Sequence, residues 1–430
     1  MAKQEGSPAS KLPLQKKLLF ALIPAVVIFT AAELVLRVID FQSPVADPYE
    51  SFVLHKPLFT LDGDTFHTAA SRHRYFHDQS LAKTKPTDVV RFFAVGGSTT
   101  YGSKLPDPLQ DNYSALLARE LENENPGLRF EAINCGGIAY ASYRLVGIVE
   151  ECLAYSPDFI IVMTGHNEFL EARHYRELLA GSRQLWYHLR LAHFMLHLRE
   201  RLWPRAAADL QQSQDGKMVL AADYIAERYI VRDDREIRYT LEHYTQNLER
   251  IAELCREHKT PLVLCTVPSN LRDWEPFATE PGGGLTVEQL DNYLDQLRSL
   301  FDEQQHDKAL TLSRTVVEQD PRSAIFHFIA AECLVALGRK SEARESYVLA
   351  KDTDAFPHRA LSSFNNSVRE IASGPLVYLF DAEALFAAES PDGIPGNNLF
   401  LDNCHPNPGG HDILAQALKE IVLEHILKDD

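Results

Sequence analysis

A serine on a glycine turn, a histidine three residues after an aspartate, and an asparagine after another glycine are the side chains here able to do chemistry together. The serine stands in Gly96-Gly97-Ser98-Thr99-Thr100, at the end of an apolar run and leading toward a helix. Glycines permit the sharp turn a nucleophile needs, and a helix N-terminus favours developing negative charge. Asp402-Asn403-Cys404-His405-Pro406 puts a carboxylate and an imidazole in one loop. There Asp402 fixes the imidazole tautomer while His405 takes the Ser98 proton. Asn134-Cys135-Gly136-Gly137 and Gly165-His166-Asn167-Glu168 supply a glycine N–H and an Asn amide, the usual donors to an oxyanion. Any one of these stretches is also ordinary turn punctuation; their joint occurrence in this order is the signal.

The elements that must position them alternate. Apolar strands are expected at Val89–Val95, Arg129–Asn134, Asp158–Met163, Pro261–Val267 and Pro375–Asp381. Helices are expected at Asn112–Asn123, Ser142–Tyr155 and Pro408–Leu427. This alternation predicts an α/β fold with a five-stranded parallel sheet covered on both faces. The functional stretches then gather at the carboxyl edge of that sheet. Residues 40–88 read as an extended lead-in to a main domain at 89–430.

With these blocks in this order, the chain resembles the SGNH (GDSL-type) hydrolase family over residues 89–168, 241–272 and 359–425. The resemblance implies a flavodoxin-like three-layer sandwich and a Ser98, Asp402, His405 triad. It further implies an oxyanion hole from the Ser98 and Gly136 N–H groups and the Asn167 amide. The chain departs from the family pattern at Gly97, where an Asp is usual, and at Glu168, where an Asp usually follows the Asn. Neither change removes a group assigned to the chemistry.

Lys3, Lys11, Lys16 and Lys17 precede an uncharged run, Leu18 to Ala32, and the apolar pattern continues to Ile39 past Glu33 and Arg37. About 20 apolar residues span a bilayer. The reading is a cytoplasmic tail (1–17), a transmembrane anchor (18–39) and a periplasmic or extracellular body. Glu33 and Arg37, at i,i+4 spacing, are placed to pair near the membrane exit. A cleaved signal peptide is the alternative, although Thr30-Ala31-Ala32 is a weak cleavage site.

Two stretches interrupt the alternation. Residues 169–234 are expected to be a helical insertion. Its Arg173–Arg205 portion is basic and aromatic, suiting either a lipid-facing helix or a hairpin buried on the body. His193 and His197 share a helical face, but without an HExxH pattern no metal is assigned. Residues 285–354 form a second insertion. Ala330, Ala331, Gly338, Ala343, Tyr347 and Ala350 match a tetratricopeptide repeat, with a degenerate repeat before it. Such helix pairs often dock a protein partner.

The chain carries 43 Lys+Arg against 60 Asp+Glu, a formal net charge of -17, which argues against nucleic acid as a partner. Its six cysteines form no CxxC pair, which removes zinc-ribbon and thioredoxin readings. Cys135 and Cys404 flank the candidate site, as packed thiols or as a bridge across it. No cofactor is expected. The expected activity is a serine esterase or O-acyltransferase acting on ester-linked acyl groups of lipids or envelope glycans. The alternative is an inactive membrane-tethered adaptor that binds a partner through 285–354.

Overall fold

The computed structural model describes residues 14–39, 57–170, 190–191, 194–195, 198, 232 and 234–427. The chain divides into two units, Met1–Leu54 with Arg176–Asp215 and His55–Tyr175 with Gly216–Asp430.

In the first unit, α1 (Leu14–Val38) contains Pro24. Glu33 accepts from Arg37 Nε at 2.7 Å, the i,i+4 pair expected, and from the Arg190 and Leu191 N–H groups at 3.0 and 2.8 Å. Among the described residues no helix is long and apolar enough to cross a membrane. The span expected at 18–39 lies partly outside them, since the side chains at 18–22 and 25 are not described. Most of the insertion at 169–234, with His193 and His197, also lies outside the described residues.

The second unit holds the sheet. Its strands are β4 (Val89–Gly96), β5 (Arg129–Gly136), β6 (Phe159–Met163), β7 (Leu262–Cys265) and β8 (Val377–Phe380), every pair parallel, in the order β5-β4-β6-β7-β8. All eight residues of β4 are buried, as the continuous apolar run requires of a central strand covered on both faces.

The chain first steps from β4 to β5 through α3 (Tyr113–Glu124), then reverses through α4 (Ser142–Leu153) to β6 on the other side of β4. It continues in that direction through α5 (Asp234–Glu257) to β7, and reaches β8 by way of α10 (Ser362–Ile371). Right-handed crossovers put α3 on one face and α4, α5 and α10 on the other. The closing helix α12 (Pro408–His425) packs beside α3, and α5 packs against α4 and α10. The reversal between β4 and β6 is a topological switch point, where open α/β sheets hold their ligands.

The lead-in is not merely extended. β1 (Phe59–Asp62), β2 (Thr65–Thr68) and β3 (Ser80–Ala82) form an antiparallel sheet of their own. The Glu151 carboxylate on α4 accepts the N–H groups of Leu58 and Phe59 at 2.7 and 2.9 Å. Gln79 then pairs by its amide with both backbone groups of Asn134, covering the exposed edge of β5.

The segment 285–354 is helical as read, with α6 (Val287–Asp302), α7 (His306–Gln319), α8 (Ala324–Ala336) and α9 (Lys340–Asp352) packing in succession. They build a separate core in which Ala330, Ala331, Ala343, Tyr347 and Ala350 are buried. α11 (Ala382–Ala388) follows β8.

A charge sits inside the central strand. Arg91 is fully buried, with its guanidinium on the Glu131 carboxylate and on the carbonyls of Tyr155 and Ala82, both at 2.9 Å. Its fork thus ties β4 to β5, to the end of α4 and to the lead-in sheet at once. Arg91→Met keeps the stem but strands two carbonyls and one carboxylate. Urea unfolding is expected to show a loss of about 3 kcal/mol with an unchanged m-value.

Candidate active site

Ser98 directly follows the glycine pair at the end of β4 and opens α2, the short helix Ser98–Tyr101. With only four residues, α2 has little macrodipole, so the expected help from a helix N-terminus is small. What remains is the Ser98 N–H itself, at the first helical position, where the helix supplies no acceptor. The turn is buttressed from two sides. The Asn134 amide donates to the Thr100 carbonyl at 2.7 Å. From the lead-in, His77 stacks on the Tyr101 ring at 3.8 Å between centroids.

His405 and Asp402 arrive on a tight loop closed by the Phe400–Pro406 bridge and by the Leu401 N–H on the His405 carbonyl. The Asp402 Oδ1 atom accepts the N–H groups of Cys404 and His405 at 2.9 and 2.8 Å, which bends the loop back on its own carboxylate. Asp402 Oδ2 lies 2.7 Å from His405 Nδ1, and His405 Nε2 lies 2.7 Å from Ser98 Oγ. An ionised carboxylate only accepts, so Nδ1 carries the proton and Nε2 is left to accept the Ser98 hydroxyl.

The loop is stapled to the carboxyl end of β7 by Asn270. Its N–H donates to the Asn403 carbonyl, and its amide donates to the carbonyl of Asp402 and to Asn397 Oδ1. Nothing in the residue types singled out Asn270. Its place just past an expected strand end is the one signal that could have found it.

Burial works to raise the Asp402 carboxyl, but contact with His405, Lys104 and the Cys404 N–H outweighs it and holds the group well below the carboxylate range. Burial likewise opposes charge on His405. The Cys404 sulfur and Asp402 overcome this and hold the imidazole above its ordinary value. Two other histidines nearby, His166 and His411, are pushed by burial down to about 3 and are neutral bystanders.

The expected oxyanion donors meet different partners. The Asn167 amide donates to the Tyr140 carbonyl at 2.9 Å and lies beside the serine turn, where a Cβ on Gly97 would come within 2.5 Å of Nδ2. Gly97 therefore has a steric reason to carry no side chain, because the amide occupies that space. Gly136 is held by its neighbours. Its N–H donates to Asn134 Oδ1 at 2.9 Å, and its Cα packs against the Thr100–Tyr101 backbone. Its N–H is engaged in holding the serine turn.

Glu168 is also structural. It accepts the Ser142 N–H and hydroxyl at 2.8 and 3.0 Å, at the start of α4. The bridge considered between Cys135 and Cys404 does not form. All six cysteines are free thiols, and Cys135 faces Cys152 with 3.8 Å between sulfurs.

Ligand atoms of Asp402, Cys404 and His405 lie within 4.8 Å of one another. Asp402 Oδ2 and both imidazole nitrogens are already committed to hydrogen bonds, so the set is arranged for proton transfer rather than as a metal cradle. The arrangement is able to draw the proton from Ser98 as its oxygen attacks, to keep the resulting imidazolium beside a carboxylate, and to return the proton to a leaving group.

Two measurements follow. Gly97→Ala forces the Asn167 amide aside, and the rate of Ser98 labelling by a fluorophosphonate is expected to fall about 100-fold with circular dichroism unchanged. Asp402→Asn removes one of the two groups that raise His405. Reactivity requires the free imidazole, so the acid limb of the labelling-rate profile should move to lower pH. The plateau should drop by about 10⁴-fold.

No protein-family model and no curated protein matches the chain. Solved structures similar to it include a lipase/acylhydrolase from Enterococcus faecalis, at 11% identity and TM-score 0.35, covering 79% of this chain and 98% of that one. A GDSL-like lipase from Bacteroides thetaiotaomicron matches at 12% identity and TM-score 0.34, covering 80% and 91%. A variant of an acetyl xylan esterase from Geobacillus stearothermophilus matches at 14% identity and TM-score 0.35, covering 79% and 97%. Likenesses at this level carry no argument about activity, which rests on the site itself.

Proposed function

We propose that this protein is an SGNH-type serine esterase or O-acyltransferase acting on ester-linked acyl groups. The observation behind the proposal is the unbroken chain from Asp402 Oδ2 through His405 to Ser98 Oγ, with 2.7 Å at each link. Ser98 Oγ attacks the acyl carbonyl carbon while its proton passes to His405 Nε2. The oxyanion meets the Ser98 N–H and the Asn167 amide. Collapse breaks the ester C–O bond, and His405 delivers its proton to the departing alcohol oxygen. Water or a sugar hydroxyl then attacks the acyl-enzyme, giving up its proton to His405, and Ser98 is released with its proton restored.

We further read residues 18–39 as a membrane anchor with the N-terminus in the cytoplasm and the body outside it. The support is the run of lysines before an uncharged apolar stretch. That placement makes lipid esters and acylated envelope glycans the candidate substrates. We read residues 285–354 as tetratricopeptide-like. The small residues of the repeat pattern are buried, and Gly338 turns between α8 and α9 with a φ of 74°. Their separate core suits a module that docks a protein partner.

The test uses the detergent-solubilised full chain with p-nitrophenyl esters from acetyl to octanoyl, beside Ser98→Ala. Turnover is expected and should vanish in the variant, with chain-length preference separating deacetylation from lipid hydrolysis. Fluorophosphonate labelling without turnover would point to a transferase lacking its acceptor. The absence of both labelling and turnover would overturn the enzymatic reading in favour of an adaptor.

A further inference from the structure

Lys104 has no role in the chemistry so far. It lies six residues after Ser98, and its ammonium contacts Asp402 Oδ2. That oxygen is the one that faces His405 Nδ1. The Lys104 side chain is 54% exposed and that of Asp402 7%, so the lysine reaches in from solvent to an otherwise enclosed carboxylate. The backbone there is unusual too. Lys104 has a φ of 70°, in a turn closed by the Leu105 N–H on the Gly102 carbonyl at 3.1 Å. Glycine takes this conformation at no steric cost, whereas a side-chain-bearing residue is strained in it. A strained residue whose side chain lands on the candidate triad is reason to look for a role.

We propose that Lys104 is a positioning residue that shares the Asp402 carboxylate with His405 and so restrains the basicity of the imidazole, setting the pH at which Ser98 becomes reactive. The inference rests on the reading of Ser98, His405 and Asp402 as a catalytic triad. A buried carboxylate alone would hold a proton on His405, and a protonated imidazole cannot accept one from Ser98. Lys104 places a second cation on the same oxygen. The imidazolium then gains less from Asp402, and the free base persists to lower pH.

The other groups near the pair are fixed in this comparison. Cys404 Sγ lies 3.9 Å from His405 Nδ1. His166 and His411 are buried and accept the N–H groups of Ala360 and Tyr113. Lys351 is held by Asp352 and the Ala360 carbonyl. On the same loop as Lys104, the Asp107 carboxylate accepts the Leu109 and Gln110 N–H groups and the Asp111 carboxylate accepts the Asp107 N–H. Because the lysine is half exposed, its effect is screened by salt and is smaller than that of an enclosed pair.

The experiment compares the full chain with Lys104→Gly, which suits the turn and so preserves it, and with Lys104→Arg, which keeps the charge. The His405 titration is followed by NMR of ¹³C-labelled imidazoles, assigned as the resonance missing from His405→Gln. The rate of fluorophosphonate labelling of Ser98 is followed against pH at low and high salt. Lys104→Gly is expected to raise the His405 midpoint and the acid limb of the labelling profile by about half a unit to one unit. Lys104→Arg should stay with the natural chain. High salt should move the natural chain toward the glycine variant and leave that variant nearly unmoved. Coincident titrations in the natural chain and Lys104→Gly would overturn the inference. A shifted His405 titration with Ser98 unlabelled at every pH would leave Lys104 as the restraint on His405 and sink the catalytic reading instead.

Discussion

Asp402 accepts from the Cys404 and His405 N–H groups on one oxygen and meets His405 Nδ1 and the Lys104 ammonium on the other. A carboxylate that is 7% exposed is tolerable only when its lone pairs are met in this way. Meeting them dictates the shape of everything close by. The two backbone donors fold residues 402–405 into a loop just wide enough to bring the imidazole back onto its own carboxylate. That loop orientation is what aims Nε2 at Ser98. Asn270 transmits the same constraint outward, since it holds the Asp402 and Asn403 carbonyls from the neighbouring strand end.

The sheet contributes rigidity and convergence. β4 is paired on both sides, in register through Gly96 with Gly136 of β5 and Met163 of β6, so the strand ends that carry Ser98, Asn134 and Asn167 lie abreast. Arg91 locks the opposite part of the same strand by a buried guanidinium rather than by apolar packing. The lead-in sheet adds Gln79 and His77 at the β5 edge and the serine turn. Residues that look peripheral in sequence therefore stiffen the turn that presents the nucleophile. The helices α6–α9 pack their apolar side chains, with Leu271 and Ile394, into a second core.

Much of the sheet is legible in the sequence. Period and composition separated strands from helices, because buried parallel strands are continuous apolar runs and their expected positions fall on the observed ones within a residue or two. That Ser98, His405 and Asp402 come together is legible because each follows a strand end or shares one short loop. The i,i+4 pair of Glu33 and Arg37 and the buried small residues of α8 and α9 were readable because helical spacing is local.

What tertiary structure alone decided is which donors and acceptors are already taken. The Gly136 N–H meets Asn134 Oδ1, a contact between neighbours that no spacing rule reports. Cys135 met Cys152 rather than Cys404, because burial between β5 and α4 sets that distance. Gly97 became intelligible only when the Asn167 amide was found in the space of its missing side chain. Lys104 reads in sequence as one more solvated charge, and only the left-handed turn at its backbone carries it onto Asp402. Sequence patterns record which groups face the interior along one element. The partner each group finds depends on where separate elements cross, and that is a property of the folded chain.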